Sequence, residues 1–170
     1  KTILFSLILS SYFITDSYAN WCQQSYRNES FNYGIARSVD GTANKPIIID
    51  EVCWRLGKQR GNTIKKEVRD ERRCRNAFIE GKDDGLSGIT TRSENPYECY
   101  RAGVNYGLSK LVVGARKGES ESVGIDCVRA FKKGRHQGMN DLVATPPLNN
   151  KLSHCHMSGH WDGQLFRGIL

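Results

Sequence analysis

Small and apolar positions recur in this chain every three to four residues, the spacing that places side chains on one face of an α-helix. Cys74, Phe78, Gly81 and Gly85 form one such stripe, and Cys127, Phe131, Gly134 and Gly138 match it residue for residue. A second kind of stripe runs Cys99, Gly103, Gly107 and continues to Leu111 and Gly114. Both kinds predict helix. Between them lie breaker-rich stretches at 40–46, 90–96 and 144–150, which contain all four prolines of the chain and read as loops. The second of these ends in a predicted helix start, with Asn95 as N-cap, Pro96 in the first helical position and Glu98 where exposed N–H groups favour an acid.

Set out by position, the stripes are two patterns in strict alternation. One is Cys-x3-Gly-x3-Gly, at Cys53/Gly57/Gly61, Cys99/Gly103/Gly107 and Cys155/Gly159/Gly163. The other begins Cys-x2-(Ala or Ser)-(Phe or Tyr) and closes on glycine before an aliphatic residue or methionine. Its copies are Cys22/Ser25/Tyr26/Gly34, Cys74/Ala77/Phe78/Gly85 and Cys127/Ala130/Phe131/Gly138. A period of roughly 50 residues is the mark of a structural repeat. The expected fold is therefore all-α, three tandem disulfide-stapled helix pairs with units at 20–61, 62–114 and 115–170. Glycine inside a helix costs about 1 kcal/mol against alanine, so glycines recurring on one face need a packing reason, and close approach of two helices supplies it. The first copy departs from the pattern: counted from Cys22, Glu29 stands where Gly81 and Gly134 do, and Gly34 falls one residue late.

The N-terminal residues bear on the compartment. Lys1, the apolar run from Ile3 to Phe13 and the small residues Ser17 and Ala19 read as a signal peptide over 1–19. That leaves a single helical domain over 20–170. No other segment approaches the roughly 20 apolar residues of a membrane span, so the mature protein is expected to be soluble, in a periplasm or outside the cell. In such a compartment Cys22, Cys53, Cys74, Cys99, Cys127 and Cys155 read as three disulfides, and the absence of any C-x2-C pair weighs against zinc. Bonds within units would join Cys22–Cys53, Cys74–Cys99 and Cys127–Cys155. Each cysteine stands near the start of its helix, however, and in an antiparallel hairpin the two would be roughly 15 Å apart. Either the helices of a pair run parallel, the proline loop returning along the first, or the bonds join neighbouring units.

The charge of +7 gathers in two places. Around Arg69, Arg72, Arg73 and Arg75 acidic residues are interleaved, which reads as a solvated helix face. Arg129, Lys132, Lys133, Arg135 and His136 have no acidic neighbour until Asp141 and form the better candidate for binding an acidic protein surface or an anionic envelope polymer. Nucleic acid is disfavoured by the compartment, and no nucleic-acid-binding motif is present.

Chemistry-bearing motifs are few. His156 and His160 share a helix face with Asp162 close by, a spacing that can hold a metal ion, although the glutamate of a zinc-protease motif is missing. No nucleophile elbow or phosphate loop occurs, every cysteine is taken by the repeat, and no cofactor is expected. The aromatic residues Trp21, Tyr26, Trp54, Phe78, Tyr100, Tyr106, Phe131 and Trp161 cluster near the cysteines and read as packing around disulfides. The expected function is that of an exported, non-enzymatic binding module for a protein or an anionic envelope component. A metal-binding protein using the C-terminal histidines, and a small envelope glycan hydrolase, are the alternative readings.

Overall fold

The computed structural model describes residues 22, 27–41, 43, 50–68, 70–90 and 97–169. The region read as a signal peptide and the proposed cap at Asn95 lie outside them. Among the described residues the chain is helical, with helices α1 (Arg27–Val39), α2 (Glu51–Glu67), α3 (Glu71–Leu86), α4 (Glu98–Lys117), a single turn α5 (Ser120–Val123), α6 (Ile125–Met139) and α7 (Asn150–Ile169). Local chemistry explains several starts. Asp50 caps α2 by accepting from the Cys53 N–H, Asp70 caps α3 by accepting from Arg73 N–H, and the Asn149 side chain accepts from Leu152 N–H at the head of α7. Helix α4 begins at Glu98, after Tyr97, with Glu98 in its first turn.

Three disulfides join Cys22 to Cys53, Cys74 to Cys99 and Cys127 to Cys155, with Cα–Cα separations of 5.3, 5.3 and 5.5 Å. The helices pack principally as α1 with α2, α3 with α4 and α6 with α7. Within each pair the residue numbers in contact rise together. Descending from the Cys74–Cys99 bond, a Cβ on Gly103 would overlap the Phe78 carbonyl and one on Gly107 the Lys82 carbonyl, while Gly81 and Gly85 stand against the carbonyls of Tyr100 and Val104. The two helices are therefore parallel, which is how cysteines at the starts of both can bond. In the third pair Gly134 and Gly138 lie against the carbonyls of His156 and His160, and Gly159 and Gly163 against those of Phe131 and Arg135.

Helix α4 joins the pairs. Its first half enters a core cluster with Ile35, Val39, Ile64, Phe78 and Tyr100, and its second half enters another with Val123, Val128 and Phe131 around Leu111 and Ala115. Helix α1 lies across α4, where Tyr33 meets Tyr106 edge to face with ring centroids 4.9 Å apart. Buried Tyr100 donates from its hydroxyl to Asp84 Oδ2 at 2.6 Å. Among the described residues no helix is long and apolar enough to cross a membrane.

Candidate functional site

The meeting of α1, α4 and α7 leaves a cleft of about 220 Å³. Its lining from α4 mixes Leu108 and Val112 with Asn105 and Ser109, and Asn32, buried in α1, donates from Nδ2 to Ser109 Oγ (2.8 Å) and to Asn28 Oδ1 (3.0 Å). One end is charged. The Arg116 guanidinium, near the end of α4, spans to Glu29 Oε2 (2.8 Å) on α1 and Asp162 Oδ1 (3.1 Å) on α7, and Asp162 Oδ2 lies 3.2 Å from Arg135 Nε. Burial raises the Glu29 carboxyl above its ordinary 4.5, against the opposing pull of Arg116. On the α7 side stand His154, Ser158, Leu165 and Trp161, whose side chain is 63% exposed.

The sequence motifs are distributed differently from the expectation. Arg129, Lys132, Lys133 and His136 do share an exposed face of α6, with Arg129 3.5 Å from Asp126. Arg135 leaves that group: it turns towards α7, over the Phe166 ring at 5.4 Å and against Asp162. His156 and His160 are buried in the middle of α7, and their Nε2 atoms point to separate protein acceptors. His156 Nε2 donates to Gln137 Oε1 at 2.8 Å, His160 Nε2 to the Leu142 carbonyl at 2.9 Å. Asp162 is held by two arginines, so the three proposed ligands do not converge. Among the described residues no group of three or more His, Cys, Asp or Glu side chains could hold a metal ion. Of the aromatic residues, Phe78, Tyr100 and Phe131 are fully buried and Tyr106 nearly so, whereas Trp161 is at the surface. Trp21 and Tyr26 lie outside the described residues.

The histidine bonds also hold the connection between α6 and α7, which its prolines mark in the sequence as a loop. Residues 142–147 form no regular structure, yet they are pinned at both the Leu142 carbonyl, by His160, and Thr145, whose Oγ1 accepts from Gln137 Nε2 (2.9 Å) and whose N–H donates to Gln137 Oε1 (3.4 Å). Pro146 and Pro147 stiffen the continuation. Along this extended stretch Val143 is 84% exposed and Leu148 wholly so, with Leu142 half-exposed.

Two of these histidines set a pH response. His154 is held below its ordinary 6.5 by burial, and His156 by burial first, then by Lys133 and His160. The unfolded chain then takes up protons on these rings at a higher pH than the folded chain does, so stability is lost as the pH falls through about 6.5 towards the folded-state values. The urea midpoint is expected to fall between about pH 7.5 and 5.5, and the fall to shrink in a His154→Gln/His156→Gln variant. An undiminished slope in the variant would remove these two rings from the explanation.

Comparison of the chain with protein-family models, with curated proteins and with solved structures finds no match in any of the three.

Proposed function

We propose that this is an exported binding module of three copies of one disulfide-stapled helix pair, and that the third copy presents its principal interaction surface to a partner protein. The repeat rests on shared geometry. Phe31, Phe78 and Phe131 each put their carbonyl against a glycine four residues past the second cysteine of the pair, namely Gly57, Gly103 and Gly159. Three disulfides favour an oxidising compartment.

The observation that carries the binding role is the stretch 142–148. Exposed aliphatic side chains on a backbone fixed by two hydrogen-bonded pins and two prolines lose little conformational freedom on docking, which is the advantage of a pre-organised ligand. An exposed apolar strip of this kind fits an apolar cleft on another protein. Lys133 is exposed one helical turn before Gln137, the residue that holds Thr145, and so leads from the strip to the cationic face of Arg129, Lys132 and His136. An acidic rim around the partner's cleft would match it.

The test is affinity capture with the oxidised protein beside a Val143→Glu/Leu148→Glu variant and a Lys132→Glu/Lys133→Glu variant, each checked for intact disulfides. The loop variant is expected to lose at least tenfold in affinity for the captured partner; the lysine variant should lose less and abolish most of the salt dependence. A partner that binds the loop variant as well as the parent would refute the assignment of this surface.

A further inference from the structure

The cleft between α1, α4 and α7 is not used by the loop surface, and its construction selects a different kind of ligand. Its charges are already matched: Arg116 lies between Glu29 and Asp162, and Arg135 takes the remaining oxygen of Asp162. An entering ion of either sign would have to compete with these partly buried pairs and leave one partner uncompensated, which is strongly unfavourable. A neutral ligand faces no such penalty. Carboxylates engaged by arginine through one or two contacts retain lone pairs for hydroxyl donors, and Ser109 with the amides of Asn28 and Asn32 adds further polar groups to the lining.

The rest of the lining has the complementary character. Trp161, largely exposed, and Leu165 on α7 line the same space as Leu108 and Val112 on α4, so an indole and aliphatic side chains border it together with the amide and hydroxyl groups. An aromatic face carries negative charge density that attracts polarised C–H groups, while its area rewards burial of a flat apolar surface. A ligand that is apolar on one face and rich in hydroxyls around its edge satisfies both kinds of lining group. At about 220 Å³ the cleft is smaller than the roughly 300–1,000 Å³ of pockets for drug-sized ligands, which limits the occupant to about one ring.

We infer that this cleft is a binding site for a single neutral saccharide ring, stacked on Trp161 with its hydroxyls directed to Glu29, Asp162, Ser109 and the asparagine amides. The inference does not depend on the loop surface: it concerns other residues, and its test uses the isolated protein.

The experiment is a titration of the oxidised full chain, followed by amide and indole NMR shifts, with glucose, galactose, mannose, N-acetylglucosamine and its tetramer. Acetate and methylammonium at matched ionic strength serve as the ionic probes. At least one sugar is expected to give saturable shifts at the Trp161 indole and at Asn28, Asn32 and Ser109, with residues 142–148 unmoved. Trp161→Ala removes an exposed side chain and Ser158→Phe fills the cleft; each is expected to weaken binding at least tenfold with the disulfides and far-UV spectrum unchanged. The inference is overturned if no sugar saturates, if affinity survives both substitutions, or if an ionic probe occupies the cleft in place of the sugars.

Discussion

Reduction of all three disulfides is expected to unfold this protein near room temperature. The bonds close loops with sequence separations of 31, 25 and 28 residues. On a chain-entropy account each removes about 3.5 kcal/mol of unfolded-state freedom, and the three together roughly 10 kcal/mol if they act independently. A domain of ordinary stability has only about 5–15 kcal/mol in all. Topology makes the dependence stronger here than in a bundle of hairpins. Parallel partners have no tight turn between them; the connection must return along the whole first helix, and the disulfide is the covalent tie at the end where both helices begin. Urea titration monitored by near-UV circular dichroism, with and without a phosphine reductant, reads the effect. A double Cys→Ser variant of one pair should lose about 2–5 kcal/mol, and full reduction should abolish the near-UV signal. A reduced protein with an unchanged midpoint would mean that the helix contacts alone hold the pairs.

The two later stripes could be read from sequence because both signals in them are local. Glycine at four-residue spacing and cysteine one turn before phenylalanine survive inspection of a linear chain, and in the structure these residues do lie on the inner faces of α3 and α6. In α1 the glycine stands at a different offset from its cysteine. Gly34 lies against the Trp54 carbonyl, one residue past Cys53, just as Gly81 lies against that of Tyr100 and Gly134 against that of His156. The next place along α1 belongs to Ser38, whose hydroxyl donates to the Lys58 carbonyl at 2.9 Å. Nine positions separate Cys22 from Phe31, against four between Cys74 and Phe78, so an alignment pinned on the cysteine slides every later residue. Glu29 therefore aligns with a packing glycine only when counted from Cys22, and in the structure it belongs to the cleft.

The cleft itself could not be read from the chain. Glu29 and Arg116 are 87 positions apart, and Arg116 and Asp162 are 46 apart; nothing in the local pattern of either end announces the other. The faint signal was Asn28 and Asn32, one turn apart inside α1, because asparagine is a poor helix former and an interior pair of them calls for a tertiary partner. Sequence spacing allows either parallel pairs or bonds between neighbouring units, since it specifies which residues share a face and says nothing of the direction in which a neighbouring helix runs.

Gly134→Ala is expected to destabilise the protein by about 3 kcal/mol, the upper end of ordinary overpacking, although helix propensity alone would make it stabilising by about 1 kcal/mol. The added methyl would overlap the His156 carbonyl oxygen and sit 3.0 Å from His160 N, both main-chain atoms of α7 that no rotamer change can move aside. The nearby Cys127–Cys155 bond prevents the helices from sliding in register. They must separate instead, and separation also loosens the contacts at Gly138, Gly159 and Gly163. Gly168→Ala is the control: the same substitution in the same helical pair, with nothing within 4 Å of the new methyl, should leave stability unchanged or raise it by up to about 1 kcal/mol. A shared separation has a further consequence. Once Gly134→Ala has moved α6 from α7, the methyl of Gly159→Ala meets a gap already opened, so the double variant should lose clearly less than the two single losses combined, with a coupling of about 1–2 kcal/mol. Urea midpoints for the four corners of this cycle decide the matter. Strict additivity would mean that each glycine relieves its own clash by local bending, and that the pair does not behave as a rigid unit.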